Sequence, residues 1–297
     1  METFSFIDLT SIYGRLKLCG DDKVDLLDRL STNDISKLSE LGQGMSTVLT
    51  TNKGRIIDLL KVYYFADHLM LVSDMESINK VSEWIEFYTI MEDVTQVVIS
   101  DETFQIRIFS GQPQSIFSEI GNYKTDDFFI GNLNGVEVSV ISNKMNQKNC
   151  IDIIGQLSDK KIIVEYLKAH GTQLDSDQFE NIRISLGYPK FGTELTEEFN
   201  PLEALLIDHI SFNKGCYIGQ EVVARLNTYD KVQRQMVKLS GETELQLGDL
   251  KFQGNVVGKI TSVFNHEGIG FIKKNVLANT NQLELNESIV EISPIKS

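Results

Sequence analysis

The chain changes character near Val232, and that change limits its fold more than any other feature. Downstream, no stretch carries a helical period. Short strand-like runs at 236–239, 256–260, 270–272 and 289–292 follow one another with glycines between them, a pattern that predicts a small antiparallel barrel over 233–297. Upstream, strands and helices are mixed. Strands are predicted at 6–9, 15–19, 45–51, 56–65 and 68–73, with Asn52-Lys53-Gly54 turning the third into the fourth. Asp21 or Asp22 caps a helix with Val24, Leu27 and Leu30 on one face. Met75, Ile78, Val81, Trp84, Ile85 and Tyr88 mark a second helix within 74–91, with Trp84 as core.

The mixture continues to 232. Strands are predicted at 97–100, 105–109, 136–141 and 150–154, with a short helix opening at Ser110-Gly111-Gln112-Pro113. A helix over 158–170 should stop on a left-handed Gly171. Another should start from a Ser176 cap, with Phe179, Ile182 and Leu186 inward. The organisation expected is an N-terminal α+β domain over 1–95, completed by a returning segment over 175–232. A second α+β domain covers 96–174, and the barrel follows.

Composition narrows the function. With 297 residues the chain is long for one core, and its four prolines leave no Pro-rich linker, so the domains should pack closely. Acids outnumber bases 42 to 28, which repels a nucleic-acid backbone; no nucleic-acid partner is expected. No apolar run approaches the ~20 residues of a spanning helix, and Met1-Glu2-Thr3-Phe4-Ser5 lacks the pattern of a leader. The expectation is therefore a cytoplasmic protein with no membrane partner. Cys19, Cys150 and Cys216 form no CxxC pair, which points to a reducing compartment and against a structural zinc site. His68, His170, His209 and His266 lack ligand spacing, so no metal is expected.

The densest chemistry lies just before the boundary, in Lys214-Gly215-Cys216-Tyr217-Ile218-Gly219-Gln220-Glu221. Gly215 and Gly219 allow tight turns or close approach to a ligand. An ammonium beside a thiol favours thiolate, so Lys214 is the candidate to hold Cys216 anionic. A helix running on through Arg225 would add its N-terminal dipole. The alternative is a small buried thiol packed beneath a turn. A second irregular stretch, from Leu186-Gly187-Tyr188-Pro189 through Glu194 to Asn200-Pro201, is the kind of segment that carries function.

The octapeptide resembles the KGCYxGQE signature of YgfZ-type folate-binding proteins, relatives of the glycine-cleavage T-protein (aminomethyltransferase). The 186–203 stretch is similar to the segment preceding that signature in both groups. Thr51 to Phe65 resembles the T-protein strand pair with its Gly-x-Ile-Asp-Asp-Leu-x-Val core, in which Asp58 matches the first aspartate and Leu59 replaces the second. An acid facing a cleft there could bond an amine; a strand-end aspartate paired with Arg55 is the other reading. The chain also departs from the T-protein. Ser185 stands where a glutamate grips the pterin, and Ser142 to Gln147 replace a Thr-Gly-Tyr-Thr-Gly-Glu turn.

The resemblance implies an α+β, T-protein-like multi-domain ring around a folate-sized channel, with a ferredoxin-like unit and a C-terminal antiparallel β-barrel. It implies tetrahydrofolate or a derivative as cofactor and iron–sulfur client or assembly proteins as partners. Catalytic candidates are Cys216, Lys214 and Asp58. Folate-binding candidates are Asp58, Arg183, Tyr188, Glu194, Gly215, Tyr217, Gly219, Gln220, Glu221 and Arg225. Support of iron–sulfur cluster assembly or repair is the leading expectation. A folate-dependent C1-transfer enzyme and a non-catalytic folate-sensing or partner-binding module are the alternatives.

Overall fold

The structure, a computed structural model, describes residues 4–112, 116–286 and 288–296. From the N-terminus, β1 (Phe4–Asp8) and β2 (Tyr13–Cys19) lead to α1 (Lys23–Leu30), then β3 (Gly44–Thr50), β4 (Ile56–Tyr64), β5 (His68–Asp74), α2 (Ile78–Tyr88) and β6 (Thr95–Val98). Five of these strands form an antiparallel sheet ordered β3-β4-β5-β2-β6. One face is covered by α1 and α2, whose Leu26, Leu30, Val81 and Ile85 join Leu16, Leu60 and Leu71 of the strands in one core. As expected, Gly54 (φ +65°) turns β3 into β4.

Next come β7 (Thr103–Phe109), β8 (Phe128–Leu133), β9 (Val136–Met145), β10 (Lys148–Gln156), α3 (Lys160–His170) and β11 (Gly171–Gln173). They make a six-stranded sheet in the order β11-β1-β7-β10-β9-β8. The N-terminal strand therefore leaves the first block and joins the second, while β6 closes the first. One face of this sheet packs on α3 through Ile106, Ile153, Ile163 and Leu167. The other meets the first sheet, with Phe128, Ile141 and Ile154 against Tyr63, Met70 and Val72. The body is thus helix, sheet, sheet, helix, each layer burying the apolar face of its neighbour.

After α4 (Ser176–Leu186), an irregular stretch and α5 (Gln220–Thr228), the chain enters the barrel. It comprises β12 (Arg234–Gly241), β13 (Gly248–Phe252), β14 (Asn255–Phe264), β15 (Glu267–Lys273), the one-turn α6 (Lys274–Leu277), β16 (Gln282–Leu285) and β17 (Ser288–Pro294). The strands close in the order β12-β15-β14-β13-β16-β17, with β17 pairing back to β12, so no sheet edge is left open. The barrel rests on the body through Met236, Ile269 and Phe271, which meet Val48, Ile56 and Phe199.

Several local expectations need correction. Gly171 is extended, not left-handed. It opens β11 beside β1, and a Cβ there would stand 2.4 Å from the Phe4 ring, so close approach demands the glycine. The cap of α4 is Asp175, not Ser176, in a reciprocal box with Gln178. Asp22 sits at the start of α1, but its carboxylate accepts from Asp93 N (2.8 Å). The tail holds α6 besides its strands. The helix expected to open at Ser110–Pro113 falls partly outside the described residues.

Candidate functional site

Asp58 sits in β4 with its carboxylate turned inward, 1% exposed. Its oxygens accept from Leu59 N (2.8 Å), Asp74 N (3.3 Å) and the Ser77 hydroxyl. Burial outweighs these donors and pushes the carboxyl up to about 7. Arg55 is not its partner; that guanidinium reaches the Glu198 carbonyl and Glu203 instead. Asp58 borders a cavity of about 510 Å³ whose wall also carries Tyr13, Asp74, Arg183, Tyr188 and Phe191. That volume lies within the range of small-molecule sites.

Arg183 shapes one side of this cavity. Its Nε and Nη2 grip Glu180 in a fork (2.9 and 2.6 Å), and its Nη1 donates to the Tyr188 carbonyl and to Glu194. Glu194, fully buried, lies behind the wall. One of its oxygens accepts from Arg183, Lys190 N and Thr193, and the other from Thr261 and Ser262 of β14. Glu194 therefore fixes the 188–190 segment to the barrel instead of facing a ligand.

A second cavity of about 270 Å³ shares Leu59, Tyr188 and Pro189 with the first. Both sheets and the barrel contribute to it, through Lys61, Lys144 and Met236, together with Asp126 just before β8 and His209 of the irregular stretch. The Lys61 ammonium bonds Asp126 and Asn143, both at 2.7 Å. Burial opposes charge on Asp126, but Lys61 still holds its carboxyl below the usual range. Sequence reasoning did not single out Lys61; its signal was a lysine inside the otherwise apolar run Leu59-Leu60-Lys61-Val62-Tyr63. Leu59, standing where the T-protein pattern has its second aspartate, leaves an alkyl group where the cavities meet.

Ser185 lies elsewhere. Its hydroxyl donates to Ile182 O (2.9 Å), and its side chain lines a separate depression with Gln147 and Lys238. Two residues advance a helix by about 200°, so the faces of Arg183 and Ser185 diverge. The hairpin at Ser142 to Gln147 places Asn146 in the second cavity, with its amide donating to Leu186 O and Gly187 O.

The octapeptide forms a distinct outer cluster. The Lys214 ammonium donates to the carbonyls of Ser31 (3.0 Å) and Asn33 (2.7 Å), pairs with the Asp28 carboxylate (2.8 Å) and lies over the Tyr217 ring. These partners at the end of α1, not the thiol, take the ammonium, an arrangement favoured at a helix C-terminus. Cys216 and Gly215 are exposed, which overturns the reading of a small buried thiol. Tyr217 is buried, and desolvation pushes its phenol up to about 12.

The loop docks on the β3–β4 turn. Thr50 donates to Ile218 O (2.6 Å), and Gly219, at φ +86°, starts α5 where a Cβ would meet Thr51 O at 2.5 Å. Gln220 bonds back to Gly215 O (3.2 Å), while Glu221 and Arg225 are exposed. The structure thus brings Asp58, Arg183 and Tyr188 to one cavity, with Glu194 behind. Lys214, Gly215, Cys216, Tyr217, Gly219, Gln220, Glu221 and Arg225 gather apart from the linings of both cavities.

A two-sheet body carrying a closed six-stranded barrel, with a buried aspartate on a cleft wall, defines a T-protein-like architecture. The chain belongs to the GCVT N-terminal domain family, which it matches over residues 2–214. It is 30% identical to a candidate chloroplastic transferase of Arabidopsis thaliana, over 95% of this chain and 68% of the relative. It is 26% identical to an aminomethyltransferase of Thermotoga neapolitana, over 84% of this chain and 71% of that one. The fold matches the crystal structure of the glycine cleavage system aminomethyltransferase T from Bartonella henselae with a TM-score of 0.83. That match covers 99% of this chain and 86% of the other at 15% identity. Among the described residues no helix is long and apolar enough to cross a membrane, and no cluster of His, Cys, Asp and Glu could hold a metal ion.

Proposed function

We propose that this chain is a YgfZ-type member of the family that binds a tetrahydrofolate derivative in the paired cavities and supports iron–sulfur cluster assembly or repair. The observation that carries the reading is Asp58, a buried carboxyl raised to about 7 on the wall of the 510 Å³ cavity. The residues suit the cofactor. Tyr13, Tyr188 and Phe191 supply aromatic side chains to the cavity wall for a pterin to pack on, and Asp58 offers an acceptor to its N–H groups. Bound tetrahydrofolate would supply nitrogens able to carry one carbon. The chain's part is to orient them, to exclude water and to hold a proton at the Asp58 carboxylate. The cluster-assembly role rests on the octapeptide resemblance, and the exposure of Cys216 supports a thiol that meets a partner.

One observation favours C1 transfer as a second reading. A carboxyl raised to about 7 is near the optimum for general acid–base work at neutral pH. Calorimetric titration with tetrahydrofolate and its 5-formyl derivative, repeated on Asp58→Ala, tests the site. Binding in the micromolar range that weakens at least about tenfold in the variant supports the pocket. Absence of binding to either ligand refutes it. Transfer of one carbon to tetrahydrofolate that is lost in Asp58→Ala but kept in Cys216→Ala would select the second reading.

A further inference from the structure

Away from both cavities, the surface turns apolar where α2 ends. Phe87, Ile90 and Met91 are 73, 83 and 93% exposed. Scattered exposed apolar side chains need no explanation, but a cluster held in place does. Phe87 packs edge-on against Tyr88 (4.9 Å between centroids), and Tyr88 against Trp84 (5.1 Å). The Glu92 carboxylate accepts from Ile90 N (2.8 Å) and Met91 N (3.0 Å) and from Arg29 Nη2 (2.8 Å). The backbone of the tip is therefore fixed while its side chains stand in solvent.

The rim carries negative charge. Glu83 and Glu86 occupy the exposed face of α2, Asp93 follows the tip, and Asp22 and Asp25 of the adjoining α1 region are exposed as well. These carboxylates and Glu92 outnumber Arg29 and Lys23, and Arg29 is already paired with Asp25 and Glu92. A second copy of this chain would bring the same acidic rim against itself in a two-fold contact. An anionic lipid surface would be repelled.

We propose that Phe87, Ile90 and Met91, with their acidic rim, dock a cationic amphipathic helix of a partner protein. The apolar face of such a helix would cover the tip, and its Lys and Arg would meet Glu83, Glu86 and Asp93. The patch adjoins the octapeptide: Arg29 binds Glu92 through its side chain and accepts from Ile218 N (3.1 Å) through its carbonyl. Cys216 lies two residues from that contact, within roughly 8 Å along the chain. A partner helix of about 18 residues, roughly 27 Å long, seated on the patch could therefore extend towards the exposed thiol. This surface is independent of whether the cavities take folate.

The test uses the full-length protein and a fluorescein-labelled helical peptide of about 18 Leu and Lys residues with one apolar face. Binding is read by anisotropy. The triple variant Phe87→Ser, Ile90→Ser, Met91→Ser keeps the net charge, so attraction that follows charge alone is unchanged in it. The expected result is affinity at least about tenfold weaker in the triple variant. The control Val256→Ser, Ile289→Ser, on exposed barrel positions, should bind as the wild type does. Equal affinity in wild type and triple variant overturns the proposal, as does equal binding of a Leu–Glu peptide. A concentration-dependent dimer in sedimentation that the triple variant abolishes assigns the face to a second copy and also overturns it. So does triple-variant-sensitive adsorption to phosphatidylserine vesicles. Folate titration of the triple variant should be unchanged, which separates failure here from failure of the cavity reading.

Discussion

Asp58 pays for its position in charge. An unfolded aspartate titrates near 3.8, and burial raises the folded group to about 7. Between those values the folded state keeps a proton that the unfolded state has released. The stabilisation is full below the unfolded value and is lost as pH rises through the folded one, at about 1.4 kcal/mol per pH unit. Asp58→Asn removes the ionisable group: its oxygen can accept from Leu59 N and its amide can donate to the Ser77 oxygen, while the Asp74 N–H loses its acceptor at every pH. Relative to wild type the variant should gain stability as pH rises from about 4 to about 7, by on the order of 4 kcal/mol over that range and set against the constant loss of the Asp74 bond. Urea unfolding across the range checks this, and parallel stability curves for the two proteins would refute it. The thiols differ by access instead. Cys216 is exposed, Cys19 half-buried, and Cys150 buried with its thiol pushed up to about 12. Iodoacetamide near neutral pH should modify Cys216 first and Cys150 last, the two differing by about 100-fold or more. Comparable rates by mass spectrometry would contradict the placement of the loop.

The octapeptide is one element whose two glycines looked alike in sequence and have different physical roles. Gly219 holds a left-handed φ against Thr51 O, so Gly219→Ala should cost about 2 kcal/mol or more and loosen the β3–β4 turn. A Cβ on Gly215 would meet nothing within 4 Å, so Gly215→Ala should stay within about 0.5 kcal/mol of wild type. Chemical denaturation of both variants decides the matter; similar losses would show that the loop is held otherwise. The same contrast explains what the sequence made legible. Periodicity and turn residues reveal elements whose neighbours lie along the chain, so α1, α2, the Asn52-Lys53-Gly54 turn and four barrel strands (β12, β14, β15 and β17) could be read directly, whereas β13 and β16 were not. Contacts fixed by tertiary approach left no local signal. Gly171 is needed for Phe4, more than 160 positions away. Lys214 is needed for the end of α1, and although Lys61 shows as a lysine in an apolar run, nothing local points to its partner Asp126 just before β8. Asp58 was legible through the resemblance of Thr51 to Phe65 to the T-protein strand pair, whereas its separation from Cys216 was not.

At the scale of the molecule, the cavity depends on a joint. Glu194 accepts on one side from Arg183 and the Lys190 amide and on the other from Thr261 and Ser262. One carboxylate thereby ties the barrel to the wall segment that carries Tyr188 and Lys190. Nearby, Phe199 stacks on Phe271 of β15, so the barrel is also held by apolar contact and should not detach when the carboxylate is changed. Glu194→Gln keeps the size of the group but makes one acceptor arm a donor. That arm can no longer serve its former partners, and Arg183 loses an opposing charge inside the protein. The loss should be about 3 kcal/mol of stability, the scale of a broken buried pair. Because both sides share the group, amide hydrogen exchange should quicken together at Lys190 and along β14, while the α1–α2 layer stays protected. Folate binding should weaken in parallel, although Glu194 lines neither of the two cavities. If exchange rises in β14 alone, with 188–190 and ligand affinity unchanged, the carboxylate serves the barrel only and the cavity wall is set by α4 without it.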